Sequence, residues 1–269
     1  MIKTLRIILL VGLAALSAAN RATVNLAMGQ TATRAATAPG HQTLKIEGWT
    51  VFVSDRLREQ EAGATDAALA LLREQLRGIV QYVPAQPLAC LRTVPLWFSP
   101  KYPGVHPKAE YHPGGEWLRQ HGRNPAMAKG IEFTNIAIFA QEVRRMPVFV
   151  LHELAHAYHD QVLGFDQPEI EAAYRHAVDS KSYDAIRRSN GKTERAYAMT
   201  NAKEYFAETS EAFFGQNDFF PFNRAELERH DPDMFRLLQR LWCNSPGMNR
   251  LPRRQQAGSG SHESGSADK

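Results

Sequence analysis

The chain has 269 residues, of which 43% are hydrophobic and 22% are charged. These fractions are typical of soluble globular domains and exclude collagen-like, coiled-coil and strongly acidic chains. The formal net charge is only +4, and part of it lies in the terminal segments. Because a phosphate backbone is held by a strong basic field, we expect no nucleic-acid partner.

Residues 1–19 have the pattern of a secretory signal peptide. Lys3 and Arg6 precede an apolar run that ends in small residues. The run is shorter than the roughly 20 apolar residues that span a bilayer. We therefore expect cleavage, no stable membrane insertion afterwards, and a secreted protein, or a periplasmic one if the source has an outer membrane. An uncleaved membrane anchor is the alternative.

The rest of the chain divides into three parts by composition. Residues 20–42 are rich in Ala, Thr and Gly and predict a linker, residues 43–251 predict one domain, and residues 252–269 predict a disordered tail. Export and an even cysteine count are consistent with a disulfide between Cys90 and Cys243, and two buried free thiols are an equally good interpretation.

Hydrophobic periodicity and capping residues predict a helix-rich α+β domain with a small sheet. The predicted strands are 44–53, 91–98 and 130–139, and the predicted helices are 66–80, 147–163, 202–214 and two that begin at Pro168 and Pro232. Asn190-Gly191 predicts a hairpin turn that places Tyr197 on or just after the returning strand. The Pro- and Gly-rich passage 99–123 is typical of a loop beside a site. We expect strand 130–139 to be an edge strand beside a cleft.

The helix 147–163 carries the motif His152-Glu-Leu-Ala-His156. Two histidines four residues apart on a helix face the same way, so both imidazoles reach one metal ion. Glu153 is placed to reach a metal-bound water and to act as the general base. The motif predicts one Zn²⁺ ion held by His152 and His156, with a third protein ligand still to be found.

The third ligand is predicted on a later helix. The elongated metzincin motif is excluded, because His159 and Val162 stand where that motif has Gly and His. Glu204 and Glu208 are four residues apart and share one helix face. We assign Glu204 to the zinc ion and Glu208 to the free N–H of a zinc-bound histidine. The alternative is that both glutamates are solvated.

The segment Tyr197-Ala-Met-Thr-Asn-Ala-Lys-Glu-Tyr-Phe-Ala-Glu208, following the His-Glu motif, resembles the family of the anthrax lethal factor catalytic domain and related secreted zinc metallopeptidases. That family has a tyrosine seven residues before its glutamate ligand and a second glutamate four residues after it. The similarity covers about residues 147–215. It implies a zincin-like, gluzincin-like fold in which His152, His156 and Glu204 bind zinc, and Tyr197 stabilises the oxyanion.

The residues and the resemblance together predict an exported zinc metallopeptidase, most consistent with an endopeptidase that acts on a peptide or protein. Metal-activated water is the expected nucleophile. An exopeptidase or a specialised amide hydrolase is the first alternative. A non-catalytic zinc-binding or peptide-binding protein on a peptidase scaffold is the second, and a structural domain in which the motif is coincidental is the third.

Overall fold

The computed structural model describes residues 38–243, so the predicted signal peptide, most of the linker and the predicted tail lie outside the described residues. The strands are β1 His41–Ile46, β2 Trp49–Ser54, β3 Leu96–Phe98, β4 Ala109–Tyr111, β5 Ile131–Phe133, β6 Ile186–Arg187 and β7 Thr193–Glu194. The α-helices are α1 Asp55–Gln60, α2 Ala62–Tyr82, α3 Ala85–Leu91, α4 Gly115–Gln120, α5 Phe139–Arg145, α6 Phe149–Tyr158, α7 Pro168–Ser180, α8 Ala202–Phe214, α9 Arg224–His230 and α10 Pro232–Cys243. The shorter turns are the 3₁₀ segments Pro125–Met127, Ile136–Ile138 and Tyr197–Thr200 and the π-helical segment His159–Leu163.

Five strands form one mixed sheet in the order β1-β2-β3-β5-β4. The outer pairs β1/β2 and β5/β4 are antiparallel, and the inner pairs β2/β3 and β3/β5 are parallel. Strand β4 is therefore an edge strand, and it lies next to α6. This mixture of helices and a small sheet confirms the predicted α+β class.

The two faces of the sheet differ in what covers them. Alternation along β3 and β5 places Leu96, Phe98, Ile131 and Phe133 in the main core, which also contains most of α6 and α8. The opposite face carries a smaller cluster of Phe52, Trp97, Leu118 and Met127. The sheet thus separates a large helical core from a thin second layer.

The predicted helices and the later hairpin are present, but the predicted helix 147–163 is α-helical only over Phe149–Tyr158, continues as the π-helical segment His159–Leu163, and leaves Pro147 outside. Helix α2 includes the predicted residues 66–80, and α7 and α10 begin at Pro168 and Pro232 as expected. The turn at Asn190-Gly191 joins β6 to β7, and Gly191 has a φ of 85°, as its role in the turn requires. Proline and asparagine signals located these elements because they act through the local backbone.

Three strand predictions are wrong in extent. The predicted strand 44–53 is a hairpin, because Glu47 (φ 49°) and Gly48 (φ 100°) turn the chain between β1 and β2. In 91–98 only β3 is a strand, and in 130–139 the strand β5 passes directly into a 3₁₀ turn and α5. The edge position belongs to β4, inside the passage predicted to be a loop, and β5 lies between β3 and β4.

Three further sequence predictions concern the start of the domain, the two cysteines and membrane spans. Strand β1 begins at His41, two residues before the predicted start of the domain. Cys90 is a partly buried free thiol and Cys243 an exposed one, so the predicted disulfide is not formed. In the described part of the chain, no helix combines the length and apolar character needed to cross a membrane.

Candidate metal centre

Helix α6 presents the His-Glu motif from a rigid, buried support. Leu151, Leu154 and Ala155 are fully buried in the core, and they fix the rotation of the helix about its axis. The helix continues into the π-helical segment and ends at Gly164, where a φ of 87° suits glycine. His152 and His156 are thus held one turn apart on a helix that cannot rotate freely.

Helix α8 positions Glu204 from its first turn. The side-chain oxygen of Asn201 accepts hydrogen bonds from the backbone N–H groups of Lys203 (2.9 Å) and Glu204 (3.0 Å). This N-cap satisfies two otherwise unpaired amides and begins the helix at a defined residue. The carboxylate of Glu204 also lies near the positive end of the helix dipole, which favours its charged form.

The three predicted ligands meet at one point between α6 and α8. His152 Nε2 lies 3.1 Å from Glu204 Oε2, and His156 Nε2 lies 3.1 Å from His152 Nε2 and 3.3 Å from Glu204 Oε2. In tetrahedral zinc coordination, with bonds of about 2.0–2.1 Å, neighbouring ligand atoms lie about 3.3–3.4 Å apart. The three atoms therefore match one face of such a coordination sphere.

The charges around His152 favour a cation at this point. Burial opposes protonation of His152, but the carboxylates of Glu204 and Glu211 raise its pKa well above its usual value. Burial alone would raise the pKa of Glu204, but hydrogen bonds from His152 and His156 lower it well below its usual value. Two imidazole nitrogens and a carboxylate oxygen that converge in this way repel one another unless a proton or metal ion lies between them. The donor set thus fits a metal ion.

The carboxylate that binds the Nδ1 side of His152 is not the predicted Glu208. His152 Nδ1 lies 2.7 Å from Glu211 Oε1, whereas Glu208 Oε1 is 3.9 Å away. Glu211, not Glu208, therefore accepts the N–H that fixes the tautomer of His152. Glu208 is buried beside this pair, where burial and the charge of Glu211 raise its pKa.

Glu211 could have been found from the sequence. It lies seven residues after Glu204 and three after Glu208, so all three carboxylates share one face of α8. The spacing alone does not decide which of the three reaches His152, because that depends on how α8 crosses α6.

The predicted general base contacts the edge strand. The backbone N–H of Tyr111, in β4, donates a 2.8 Å hydrogen bond to Glu153 Oε2. The sequence places Tyr111 in a loop that borders the cleft but does not predict strand β4, because a three-residue strand within a Pro- and Gly-rich passage has no periodicity to detect.

Tyr197 is exposed, and its phenol feels the charges of Glu204 and Glu153. Its side chain is 49% exposed, at the start of the 3₁₀ turn that precedes α8. Partial burial and the negative charges of Glu204 and Glu153 raise the pKa of its phenol, so the group is a proton donor at neutral pH. The charges of Glu204 and Glu153 thus act on this phenol as well as on the three candidate ligand atoms.

His159 is not one of the ligands. It is fully buried, its ring packs on Phe165 and Phe206, and neither ring nitrogen has a hydrogen-bond partner among the described residues. Burial and the neighbouring His156 lower its pKa to about 4. His159 therefore packs in the core as a neutral ring.

The donor set can hold a cation, with a carboxylate and a phenol beside it that can accept and donate protons. His152, His156 and Glu204 form one group whose atoms could bind a metal ion, and His152, Glu208 and Glu211 form a second group that shares a histidine with it. Comparisons of the chain with protein-family models, curated proteins and solved structures found no match. The functional interpretation therefore depends on the residues themselves.

Proposed function

We propose that this chain is an exported zinc-dependent peptidase with a zincin-like catalytic domain, most consistent with an endopeptidase. The observation that carries the proposal is the triangle of His152 Nε2, His156 Nε2 and Glu204 Oε2, with sides of 3.1, 3.1 and 3.3 Å. Support comes from Glu153 and Tyr197, which add a proton acceptor and a donor beside the triangle.

In this mechanism His152, His156 and Glu204 hold the ion, and Glu211 fixes the tautomer of His152. Zinc, when bound, supplies Lewis acidity toward a water molecule and the scissile carbonyl. Glu153 accepts a proton from the attacking water and delivers it to the leaving nitrogen. Tyr197 donates a hydrogen bond to the oxyanion that develops on the substrate.

The substrate in this proposal is an extended peptide that lies beside β4. Two backbone hydrogen bonds flank the β4/β5 pair: Thr134 N–H donates to the Lys108 carbonyl, and His112 N–H donates to the Gly130 carbonyl. The backbone groups of Lys108 and His112 therefore face β5. Because backbone groups alternate in an antiparallel pair, those of Ala109 and Tyr111 point away from β5. The Tyr111 N–H donates to Glu153, so a peptide that also contacts the metal centre would pair here with the Tyr111 carbonyl and the backbone groups of Ala109.

Two substitutions test the proposal. We expect the purified wild-type chain to bind one zinc ion and to cleave a mixture of unstructured peptides. Glu153→Gln should keep the zinc and lose about 10²-fold to 10⁴-fold in kcat, because it removes only the proton acceptor. His156→Ala should lose both zinc and hydrolysis.

Metal analysis and peptide mass spectrometry measure these outcomes. Hydrolysis by Glu153→Gln at the wild-type rate would contradict the assigned base. Stoichiometric zinc without cleavage by the wild type would favour a binding protein, and absence of zinc would refute the metal centre.

A further inference from the structure

Tyr111 joins the edge strand β4 to the motif helix at two points. Its backbone N–H donates to Glu153 Oε2 at 2.8 Å, and its hydroxyl donates to Asp160 Oδ2 at 2.6 Å. Glu153 and Asp160 are seven residues apart, two turns along the same helical face. One residue of the strand thus contacts both α6 and the π-helical segment that continues it.

The Asp160 end of this connection is reinforced. Lys129 Nζ lies 2.6 Å from the same Asp160 oxygen, and Gln161 Nε2 donates to the Tyr111 hydroxyl at 3.1 Å and to the Lys129 carbonyl at 3.3 Å. The Tyr111 side chain is buried, and burial together with Asp160 raises the pKa of its phenol. A hydrogen bond from a phenol to a desolvated carboxylate is among the stronger ones in proteins.

Strand β4 needs such an attachment. It has only three residues and pairs with a single neighbour, β5. A short edge strand held from one side is easily displaced, and the Tyr111 amide would move with it. The amide is also the hydrogen-bond donor that the structure gives to the Glu153 carboxylate.

We infer that Tyr111 is a positioning residue for the general base. Its hydroxyl, bound to Asp160, holds β4 at a fixed distance from α6, and its amide then holds Glu153 Oε2. This leaves Glu153 Oε1 as the oxygen that accepts the proton. The catalytic consequence rests on the proposed function, whereas the attachment of β4 to α6 does not depend on it.

Substitution of each end of the side-chain bond tests the inference. We expect Tyr111→Phe and Asp160→Ala each to lower kcat by about ten-fold, because a carboxylate misplaced by about 1 Å loses much of its effect. KM should change less than about two-fold, and bound zinc should be unchanged. The double variant should lose no more than Asp160→Ala alone, because that variant already removes both the Tyr111 bond and the Lys129 ion pair.

Two further variants separate positioning from loss of structure. Asp160→Asn keeps an acceptor for the hydroxyl, so its kcat should lie close to that of the wild type. Tyr102→Phe is the matched control, because its hydroxyl donates to Glu132 at 2.8 Å on the other face of the sheet. Its kcat should equal that of the wild type.

Hydrogen exchange of the Tyr111 amide gives a measurement that needs no activity. We expect this amide to exchange about ten-fold faster in Tyr111→Phe and at the wild-type rate in Tyr102→Phe. Unchanged exchange, or a wild-type kcat in Tyr111→Phe, would overturn the inference. If the wild type binds zinc without hydrolysing any peptide, the proposed function fails, while the exchange rates still decide whether Tyr111 fixes the strand.

Discussion

At the scale of single residues, the buried glutamates of α8 determine how His152 presents its Nε2 lone pair. Glu211 is fully buried, and its Oε1 lies 2.7 Å from His152 Nδ1. Burial raises the pKa of Glu211, and the hydrogen bond from His152 opposes that rise. A carboxylate kept in such a place at a desolvation cost indicates a specific task, which under the proposed function is to orient His152 as a metal ligand.

Substitution of Glu211 should therefore weaken the metal site. We expect Glu211→Gln to lower zinc affinity by about 10-fold to 100-fold, because the variant loses the charge that strengthens His152 as a ligand. Glu208→Gln is the matched control, since Glu208 Oε1 is 3.9 Å from the same nitrogen. Competition with a fluorescent zinc chelator measures both affinities. A larger loss of zinc affinity in Glu208→Gln would show that Glu208, and not Glu211, is the carboxylate that supports His152.

At the scale of elements, the start of α8 decides where Glu204 lies. Asn201 caps α8, and Asn223 caps α9 through a bond from Glu226 N–H at 3.1 Å. The two caps are chemically alike, but of these two helices only α8 carries a proposed metal ligand. Comparing the loss of each cap therefore distinguishes an effect on helix stability from an effect on the position of the first turn of α8.

Removal of each cap should have a different effect on zinc. We expect Asn201→Ala and Asn223→Ala each to lower the free energy of unfolding by about 1 kcal/mol, the usual loss for a cap. Zinc affinity should fall only in Asn201→Ala, because Glu204 lies in the turn that loosens. Urea denaturation and zinc titration measure the two quantities. Equal zinc affinity in both variants would show that packing alone positions Glu204.

The same elements show how much the sequence could predict. Asn201 and Pro168 act on the backbone beside them, so the helices they begin were located to the residue. Gly48 marks the turn after β1, but Glu47 adopts a φ of 49° that few side chains favour, so the signal for a two-residue turn was incomplete. The side chains of Glu208 and Glu211 could not be ranked, since their distance from His152 depends on the packing of two distant segments.

At the scale of the whole molecule, the candidate metal centre links parts of the chain that are far apart in sequence. His152 and His156 come from α6, and Glu204 comes from α8, on the far side of α7 and the β6/β7 hairpin. An ion bound to these ligands stabilises the folded state only, because the unfolded chain does not bring them together.

Zinc should accordingly raise the free energy of unfolding of the wild type. At a free zinc concentration about 1,000 times the Kd, the expected gain is about 4 kcal/mol. Excess chelator should reverse it, and His156→Ala should show no response to either treatment. Urea denaturation with zinc and with chelator measures the effect. A wild type that responds no more than His156→Ala would contradict a site shared by the two helices.

The short edge strand also bears on self-association. A long sheet edge with free N–H and C=O groups is a template on which strands of other copies can pair. Strand β4 has three residues, the N–H of Tyr111 is taken by Glu153, and Pro113 just beyond it has no N–H. Another copy of the chain would find too short a ladder for stable pairing here. The contact that orients a carboxylate thus also protects this edge against aggregation.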